Sequence, residues 1–414
     1  SSKETGLRQI TEDLRRYHFT NELKINYLKR LSKGMEMREK NITGVLVIAG
    51  GSASNLSVIS NLNKVIAIFE RLGYTNIYLV SPYGKNTDLK LSVENTFLAN
   101  KYFSKNCFIK YIYFLFYQLS MLYHVLKLNR KYSEVYYIFG QDLSIIPIAI
   151  SKCLGKRVII RSDGRPQLDP QLNTSKFRGY ALSFVERVNY QFADALLTEC
   201  EYMLHTNKFD EYNKNVYVGN LFIGPDFFKS NDFNRRKYDI AYIGRFHHEK
   251  GIINFVKAIS RIIEMDPAIA VLIRGDGELR HEIEATIDEH GLSQNVCLGG
   301  WVPHEQLSSY LNSVKVLVLP SYKEGLPNII LEAMACGTAV LATPVGGVPG
   351  IVHDGKTGFI MESNSPECIA ENVIRALGSP DLERIAEEGR RFVEENFTFE
   401  KAVENWERAL QDIV

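Results

Sequence analysis

The stretch SYKEGLPNIILEAMACGTAV, residues 321–340, decides the fold because one short loop in it joins a strand to a helix. Pro327 suits the first turn of a helix, where its missing N–H is not needed. Gly337 is a typical helix terminator. Glu324 falls on the loop, and Glu332 falls inside the apolar helix eight positions later. Because a buried carboxylate without a partner is costly, we expect a hydrogen-bonding group at Glu332.

The same order of strand, turn and helix recurs along the chain. TGVLVIAGG, NIYLVSP, YDIAYIG and KVLVLPS are typical of strands, and helical spacing of apolar residues follows most of them. Strands that alternate with helices predict doubly wound parallel sheets. A polar, unpatterned segment at residues 230–237 divides the chain. We therefore predict an α/β protein with two facing Rossmann-like domains, 41–232 and 233–395, and a ligand cleft between them.

Length and composition fit a two-domain protein. A chain of 414 residues exceeds one ordinary core, and its 45% apolar and 23% charged residues are typical of soluble globular proteins. The formal net charge of +1 gives no reason to expect a nucleic-acid partner. The six cysteines are spread singly, without a Cys-x-x-Cys motif. This argues against a zinc site or a disulfide framework and favours a reducing, cytoplasmic location.

Two segments depart from the strand–helix pattern. Residues 1–40 have amphipathic helical spacing and are predicted to form an N-terminal helical extension of unknown role. Residues 111–126, YIYFLFYQLSMLYHVL, carry no formal charge but are shorter than the roughly 20 apolar residues of a spanning helix. We interpret this segment as a buried helix. The alternative is peripheral contact of residues 110–127 with the inner face of a membrane, which aromatic and basic residues suit.

Two strand-to-helix turns of the second half have ligand-binding features. Arg245 and Lys250 follow a strand that ends at Gly244, and two cations beside a helix N-terminus suit a diphosphate. The alternative is a solvated loop. In the next such turn, Gly275 and Gly277 would let the backbone approach a ligand, although a tight turn is the commoner reason for such glycines.

Together these features resemble the family-four retaining glycosyltransferases, which have a GT-B fold. Glu324 and Glu332 have that family's Glu-x7-Glu spacing, and GRFHHEKG looks like its Gly-Arg…Lys-Gly motif. The block from LPSYKEGLPN to GKTGFI resembles its donor site nearly end to end. FTFEKAVENWERAL is similar to the family's last helix, so residues 396–414 are expected to cross back to the first domain. The N-terminal half, where the acceptor would bind, matches only in layout.

The resemblance implies that the matching positions bind a nucleotide-sugar donor. Arg245 and Lys250 would hold the diphosphate, Glu332 the ribose, and Glu324 with the adjoining backbone the sugar. A glycine turn after the first strand would lie against the phosphates and the acceptor, and a tryptophan would lie near the base. With one glycine from the turn described above, the predicted donor-binding residues are Arg245, Lys250, Glu332, Gly325, Leu326, Pro327, Asn328, Gly275, Trp301, Gly50 and Gly51.

Two positions depart from the family pattern. Asp163 stands about where many relatives have a histidine, so either it takes over the contact with sugar or acceptor, or the acceptor chemistry differs. An ordinary Asp-Gly turn is an equal alternative for Asp163. Gly350 stands where relatives usually have glutamate, which affects a helix start and removes no essential group. Glu324 and Asp163 are the candidate catalytic residues.

The reaction implied by the resemblance is retaining transfer of a hexosyl-type sugar from a nucleotide-sugar to a hydroxyl group, in glycan or glycoconjugate biosynthesis. The sequence contains no Asp-x-Asp motif, so neither a metal nor another cofactor is indicated. The cations and the helix N-terminus would stabilise charge on the departing diphosphate. A front-face substitution then needs no protein nucleophile, and we prefer it to double displacement.

Alternative functions and acceptors remain open at this stage. A nucleotide-sugar 2-epimerase and a catalytically silent GT-B binding protein would share the architecture. The acceptor is a glycan, a lipid-linked molecule or a small molecule.

Overall fold

The computed structural model describes residues 44–49, 56–74, 76–81, 93–97, 107–138, 145–162, 176–206, 209–212, 215–228 and 232–413. The predicted N-terminal extension lies outside these ranges, and so do Gly50, Gly51 and Asp163.

The first domain is built on a parallel seven-stranded sheet in the order β3-β2-β1-β4-β5-β6-β7. Its strands are β1 (Val45–Ala49), β2 (Ile77–Ser81), β3 (Val93–Phe97), β4 (Glu134–Ile138), β5 (Arg157–Ser162), β6 (Ala195–Thr198) and β7 (Asn215–Val218). Its helices are α1 (Leu56–Arg71), α2 (Cys107–Lys127), α3 (Ile145–Cys153), α4 (Lys176–Phe192) and α5 (Glu201–Thr206).

Helices cover both faces of this sheet, which explains why its central strands are apolar on both sides. Side chains of α1 pack with Val45 and Val47 of β1 on one face. On the other face, α2, α3 and α4 pack with Leu46 and Ile48 of the same strand. Alternate residues of β1 therefore belong to different cores, as the period of two in a strand requires.

The second domain is built on a parallel six-stranded sheet in the order β10-β9-β8-β11-β12-β13. Its strands are β8 (Tyr238–Ile243), β9 (Val271–Arg274), β10 (Val296–Gly299), β11 (Val314–Leu319), β12 (Ala339–Ala342) and β13 (Phe359–Ile360). Its helices are α6 (Ile252–Met265), α7 (Arg280–Glu289), α8 (His304–Leu311), α9 (Asn328–Ala335), α10 (Pro366–Leu377) and α11 (Leu382–Asn396), and α12 (Phe399–Ile413) follows them.

The last helix leaves the second domain and packs on the first. Trp406 of α12 is fully buried, lies edge-on to Phe69 at a centroid distance of 5.4 Å, and donates to the Asn220 carbonyl at 3.0 Å. The segment between β7 and β8 also crosses between the domains, because Ile223 and Phe227 pack in the core of the second domain. The two domains are therefore joined at two crossings of the chain.

The aromatic segment at 111–126 forms most of α2, so the prediction of a helix is confirmed, but the prediction of a buried helix is only half right. Met121 and Val125 are fully buried, whereas Phe116 and Tyr123 are exposed. The sheet covers one face of α2 and leaves the other open. Among the described helices, none has both the length and the apolarity needed to cross a membrane.

Candidate functional site

Lys250 and Glu324 form a largely buried ion pair where β8 and β11 end. Both carboxylate oxygens of Glu324 lie 2.8 Å from Lys250 Nζ, and 18% and 8% of the two side chains are exposed. Ser321 Oγ also donates to Glu324 Oε1 at 2.7 Å. Each buried charge compensates the other, and removal of one would leave its partner uncompensated. An anionic ligand at Lys250 would release the Glu324 carboxylate for other hydrogen bonds.

Arg245 lies on the same edge of the sheet but on its solvent side. About half of its side chain is exposed, and its guanidinium pairs with Glu249 at 2.8 Å. The Tyr242 hydroxyl donates to the Arg245 carbonyl at 2.8 Å, which fixes the backbone of this loop. The predicted pair of cations thus consists of one buried ammonium and one exposed guanidinium. Exposed ion pairs such as this one contribute little to stability, and a ligand role for Arg245 stays a prediction.

Glu332 lies inside α9 with only 7% of its side chain exposed, and its Oε1 is 3.1 Å from His304 Nε2 at the start of α8. The prediction that this carboxylate is buried and has a hydrogen-bond partner is confirmed. The hydrogen bond to Glu332 raises the pKa of His304 above its ordinary value, because the carboxylate favours the imidazolium form. A role in holding a ribose stays a prediction.

A lysine of the first domain also reaches this region. Lys64 of α1 is 9% exposed, and burial lowers the pKa of its amine while the charge of Glu332 partly raises it. Its Nζ lies 6.0 Å from the centroid of the Phe222 ring. The amine of a buried lysine of the first domain therefore interacts electrostatically with the buried carboxylate of the second.

The loop that begins α9 is bonded to the first domain. The Leu326 N–H donates to Glu199 Oε2 at 2.9 Å, and Asn328 Nδ2 donates to Asn61 Oδ1 at 3.0 Å. The second oxygen of Glu199 accepts from Arg161, which is fully buried, at 2.7 Å. The Glu199 carboxylate of the first domain therefore accepts a hydrogen bond from the Leu326 N–H, which the sequence predicted to bind the donor sugar.

Gly275 packs against the loop of Arg245 too closely to carry a side chain. Its φ is 151°, and a Cβ atom there would lie 1.9 Å from the Gly244 carbonyl oxygen. Its N–H donates to the Gly300 carbonyl at 3.1 Å, beside the exposed Trp301. This packing accounts for the glycine without a ligand, so ligand roles for Gly275 and Trp301 stay predictions.

Gly350 lies at the contact between the domains. A Cβ atom on it would lie 2.5 Å from Cβ of Tyr202 on α5 and 3.4 Å from Sγ of Cys200. From the sequence, Gly350 was expected to affect only a helix start. The structure gives the missing side chain a second consequence, because it lets α5 of the first domain approach the segment that follows β12.

The remaining predicted positions are placed as follows. Pro327 directly precedes the first residue of α9, and Gly337 follows its end with a φ of 63°. The Gly325 carbonyl accepts from the Gly347 N–H at 2.7 Å. Gly50, Gly51 and Asp163 lie outside the described residues, so their roles stay predictions. In the described part of the chain, no group of three histidine, cysteine or acidic side chains is arranged to hold a metal ion.

Four polar residues of the site, Glu199, His304, Ser321 and Lys64, were not predicted from the sequence. Glu199 directly follows β6, so the rule that selected Arg245 by its place after a strand would also have selected it. His304 and Ser321 lie next to a helix start and a strand end, but neither has a sequence signal that indicates its carboxylate partner. Lys64 has no such signal either, because its position near Glu332 depends on the packing of two domains.

Comparison with protein families supports the interpretation of the second domain. Residues 225–392 match the family model described as glycosyl transferases group 1. The alpha-D-kanosaminyltransferase of Streptomyces kanamyceticus is 33% identical over 149 residues, 36% of this chain and 39% of that protein. The capsular polysaccharide biosynthesis glycosyltransferase CapM of Staphylococcus aureus is 31% identical over 160 residues, 38% of this chain and 42% of its own length. The matches thus span about two fifths of these relatives.

Comparison with solved structures confirms the predicted GT-B fold. The sucrose-phosphate synthase of Thermosynechococcus elongatus superposes with a TM-score of 0.71 at 17% identity, over 89% of this chain and 98% of that one. Anabaena HepE in complex with UDP and glucose superposes with a TM-score of 0.69 at 14% identity, over 90% and 100% of the two chains. At these identities the likeness establishes the fold over about nine tenths of the chain and nothing about its ligands.

Proposed function

We propose that this protein is a retaining glycosyltransferase that moves a hexosyl-type sugar from a nucleotide-diphosphate sugar to a hydroxyl group, in glycan or glycoconjugate biosynthesis. The observation that carries the proposal is the buried Lys250–Glu324 pair, which lies at the carboxyl ends of two parallel strands. Ligands of doubly wound sheets bind at that edge. The match of residues 225–392 to group 1 glycosyl transferases supports the same class of reaction.

Donor binding in this proposal exchanges the partners of existing charges. The diphosphate takes the ammonium of Lys250 and the guanidinium of Arg245, which now bind Glu324 and Glu249. The freed Glu324 carboxylate then accepts hydrogen bonds from hydroxyl groups of the sugar. Glu332 accepts from the ribose in place of the exposed His304 imidazole. Without the donor, the ion pairs with Glu324 and Glu249 neutralise the charges of Lys250 and Arg245 and keep the side chains in place.

The chemical step is a front-face substitution. Negative charge builds on the departing phosphate as the bond to the anomeric carbon breaks, and Lys250, Arg245 and the amide groups at the start of α9 stabilise it. The leaving phosphate takes the proton of the incoming hydroxyl on the same face of the sugar, so the anomeric configuration is retained. In this proposal the two cations supply the positive charge and no metal is required. Asp163 would orient the acceptor or the sugar.

Glu199 has to leave the Leu326 amide before a sugar can use it. The Arg161 guanidinium holds the other carboxylate oxygen at 2.7 Å, so a small rotation can release the amide while the buried ion pair persists. In the proposed reaction the donor therefore competes with the first domain for this N–H group. This competition links donor binding to the approach of the two domains.

The proposal also includes an acceptor and a cellular location. The acceptor is a glycan, a lipid-linked molecule or a small molecule bound mainly by the first domain. The reaction takes place in the cytoplasm, where nucleotide-sugars are present and the five cysteines with described side chains would stay reduced, as they are in this structure.

The proposal is tested by following each of four donors, UDP-glucose, UDP-N-acetylglucosamine, GDP-mannose and ADP-glucose, by proton NMR. Each is incubated with and without a panel of glycan and lipid-extract acceptors. Release of a nucleoside diphosphate with a product of unchanged anomeric configuration is the expected result. A changed sugar without acceptor would indicate the 2-epimerase instead. Nucleotide binding without turnover of any donor would indicate a silent binding protein.

A further inference from the structure

The outer sides of α2, α3 and α4 form an apolar surface on the first domain. These three helices lie side by side on one face of the sheet, with α3 between the other two. Eight large apolar side chains on them are at least about two fifths exposed, and we call this set the α2–α4 face. Its members are Leu115, Phe116, Leu119, Tyr123, Leu126, Ile146, Phe184 and Phe192.

Helix α2 differs from an ordinary amphipathic helix, because apolar side chains lie on its exposed side and polar ones are found on its buried side, beside Met121 and Val125. Gln118 and His124 are buried against the sheet, at 2% and 7% exposure. The opposite side carries the apolar residues of the α2–α4 face, including Phe116 at 65% exposure. Burial lowers the pKa of His124, so its imidazole is neutral at neutral pH. Several exposed apolar side chains on one side of a helix, with more on the two neighbouring helices, indicate an interaction surface rather than a core helix.

The charges around the α2–α4 face are positive. Residues 107–133 contain four lysine or arginine residues and no aspartate or glutamate. Lys127, Arg130 and Lys131 are exposed at the end of α2. The one acidic residue of α4, Glu186, is 1% exposed, and Asp194 behind it is paired with Lys152 at 2.7 Å. The accessible charges beside the apolar side chains are therefore cations.

We propose that the α2–α4 face docks the protein on an anionic lipid surface. Aromatic and leucine side chains beside basic residues are the combination that lies in the interface of a bilayer, with the apolar groups in the acyl boundary and the cations at the headgroups. A second protein chain would need acidic groups opposite these cations, whereas a bilayer with anionic lipids supplies them over its whole area. The inference goes beyond sugar transfer and stands on observations of the first domain alone.

The test is flotation of the full chain with vesicles of phosphatidylcholine alone and of phosphatidylcholine with 30% phosphatidylglycerol. Binding is expected to the anionic vesicles and to fall as the salt concentration rises. The double variant Phe116→Gln, Phe184→Gln is expected to bind at least about tenfold more weakly. The matched control is Met265→Gln, because Met265 is 53% exposed on the second domain and should leave flotation unchanged.

A second pair of variants tests the charges. Lys127→Gln with Arg130→Gln is expected to weaken binding roughly 25-fold, since one basic residue near an anionic surface contributes about fivefold. Lys257→Gln, at an exposed lysine of α6, is the control. All substituted side chains are exposed, so an unchanged melting temperature shows that the variants fold.

Three results would overturn the proposal. The first is no flotation with the anionic vesicles. The second is flotation that neither double variant weakens, which would assign binding to another part of the chain. The third is a dimer, seen by light scattering, that the Phe116→Gln, Phe184→Gln variant dissociates, which would make a second copy the occupant of the face. None of these results bears on nucleotide binding in the second domain, so they leave the proposed reaction untouched.

Discussion

An ordinary amphipathic helix buries apolar side chains and exposes charged ones. Helix α9 departs from this pattern by burying a carboxylate, and α2 departs from it by exposing apolar side chains. Helix α9 carries the carboxylate of Glu332 at 7% exposure among apolar neighbours, whereas α2 turns the apolar Phe116 outward at 65% exposure. A buried charge and an exposed aromatic ring each cost stability or solubility. We propose a separate binding function for each departure, a polar ligand at α9 and an apolar surface at α2.

The largest expected effect is the loss of turnover in Lys250→Ala. The ammonium is the buried positive charge beside the proposed diphosphate, and loss of one such group lowers kcat by about 100- to 1000-fold. Steady-state kinetics with the donor found by NMR measure it. If the two helices have separate functions, Lys250→Ala floats with anionic vesicles as the wild type does. Full activity of Lys250→Ala would remove the diphosphate assignment, and Lys257→Ala is the control.

The next largest effect is expected from Gly350→Glu. The new Cβ atom would lie 2.5 Å from Cβ of Tyr202, and this clash is close to the backbone of α5, so rotation of the tyrosine cannot relieve it. We expect the domains to separate, with an increased radius of gyration in small-angle scattering and roughly a tenfold loss of kcat/KM. An unchanged radius of gyration and an unchanged kcat/KM would show that the contact between Gly350 and α5 is not needed for domain association or activity. Gly224→Glu is the matched control, because a Cβ there meets no atom within 4 Å and, as at Gly350, the backbone is not left-handed.

A smaller effect is expected on the pH dependence of stability through His304. Its pKa is raised in the folded protein by the hydrogen bond to Glu332, so protonation of His304 favours folding. This stabilisation is fully present below the unfolded pKa of about 6.5 and is lost as the pH rises through the folded pKa. Thermal melts of wild type and His304→Gln should therefore differ more at acidic than at alkaline pH. Equal differences at all pH values would contradict the assigned bond.

The smallest effect is expected from Asn61→Ala. Its side-chain oxygen accepts one hydrogen bond from Asn328 across the domain contact, and loss of such a bond costs about 1 kcal/mol. A fall of that size in the free energy of unfolding, with flotation unchanged, would confirm that α1 supports α9 and has no part in the α2–α4 face. Asn63→Ala, two positions along the same helix, serves as a comparison.

The sequence predicts the fold well where a structural feature depends on residues close together in the chain. Alternating strands and helices were enough to predict two parallel sheets, and Pro327 with Gly337 bracketed α9 to within a residue or two. The spacing of Glu324 and Glu332 also identified two carboxylates that the structure finds buried and partnered. These features are local, because each depends on residues within one strand–loop–helix unit.

What the sequence could not predict depends on packing between distant segments. The approach of Lys64 to Glu332 and the bond from Leu326 to Glu199 both join domains far apart in the chain. The prediction that α2 is buried was half wrong for the same reason. The sequence of an apolar segment is the same whether its second face packs against a core or lies in solvent. Hydrophobic spacing shows how many apolar residues a helix has, and only the tertiary structure shows which of them are covered.

The central claim, that α9 and its neighbouring loops bind a nucleotide, is tested most directly by thermal stabilisation with UDP, GDP, ADP and CMP at equal excess. A ligand present at about 100 times its dissociation constant adds roughly 2.7 kcal/mol to the free energy of unfolding. We predict a clear response to one nucleotide, which Glu332→Gln loses and which Glu264→Gln, at an exposed position of α6, retains. No response to any of the four, or an undiminished response in Glu332→Gln, would contradict the account.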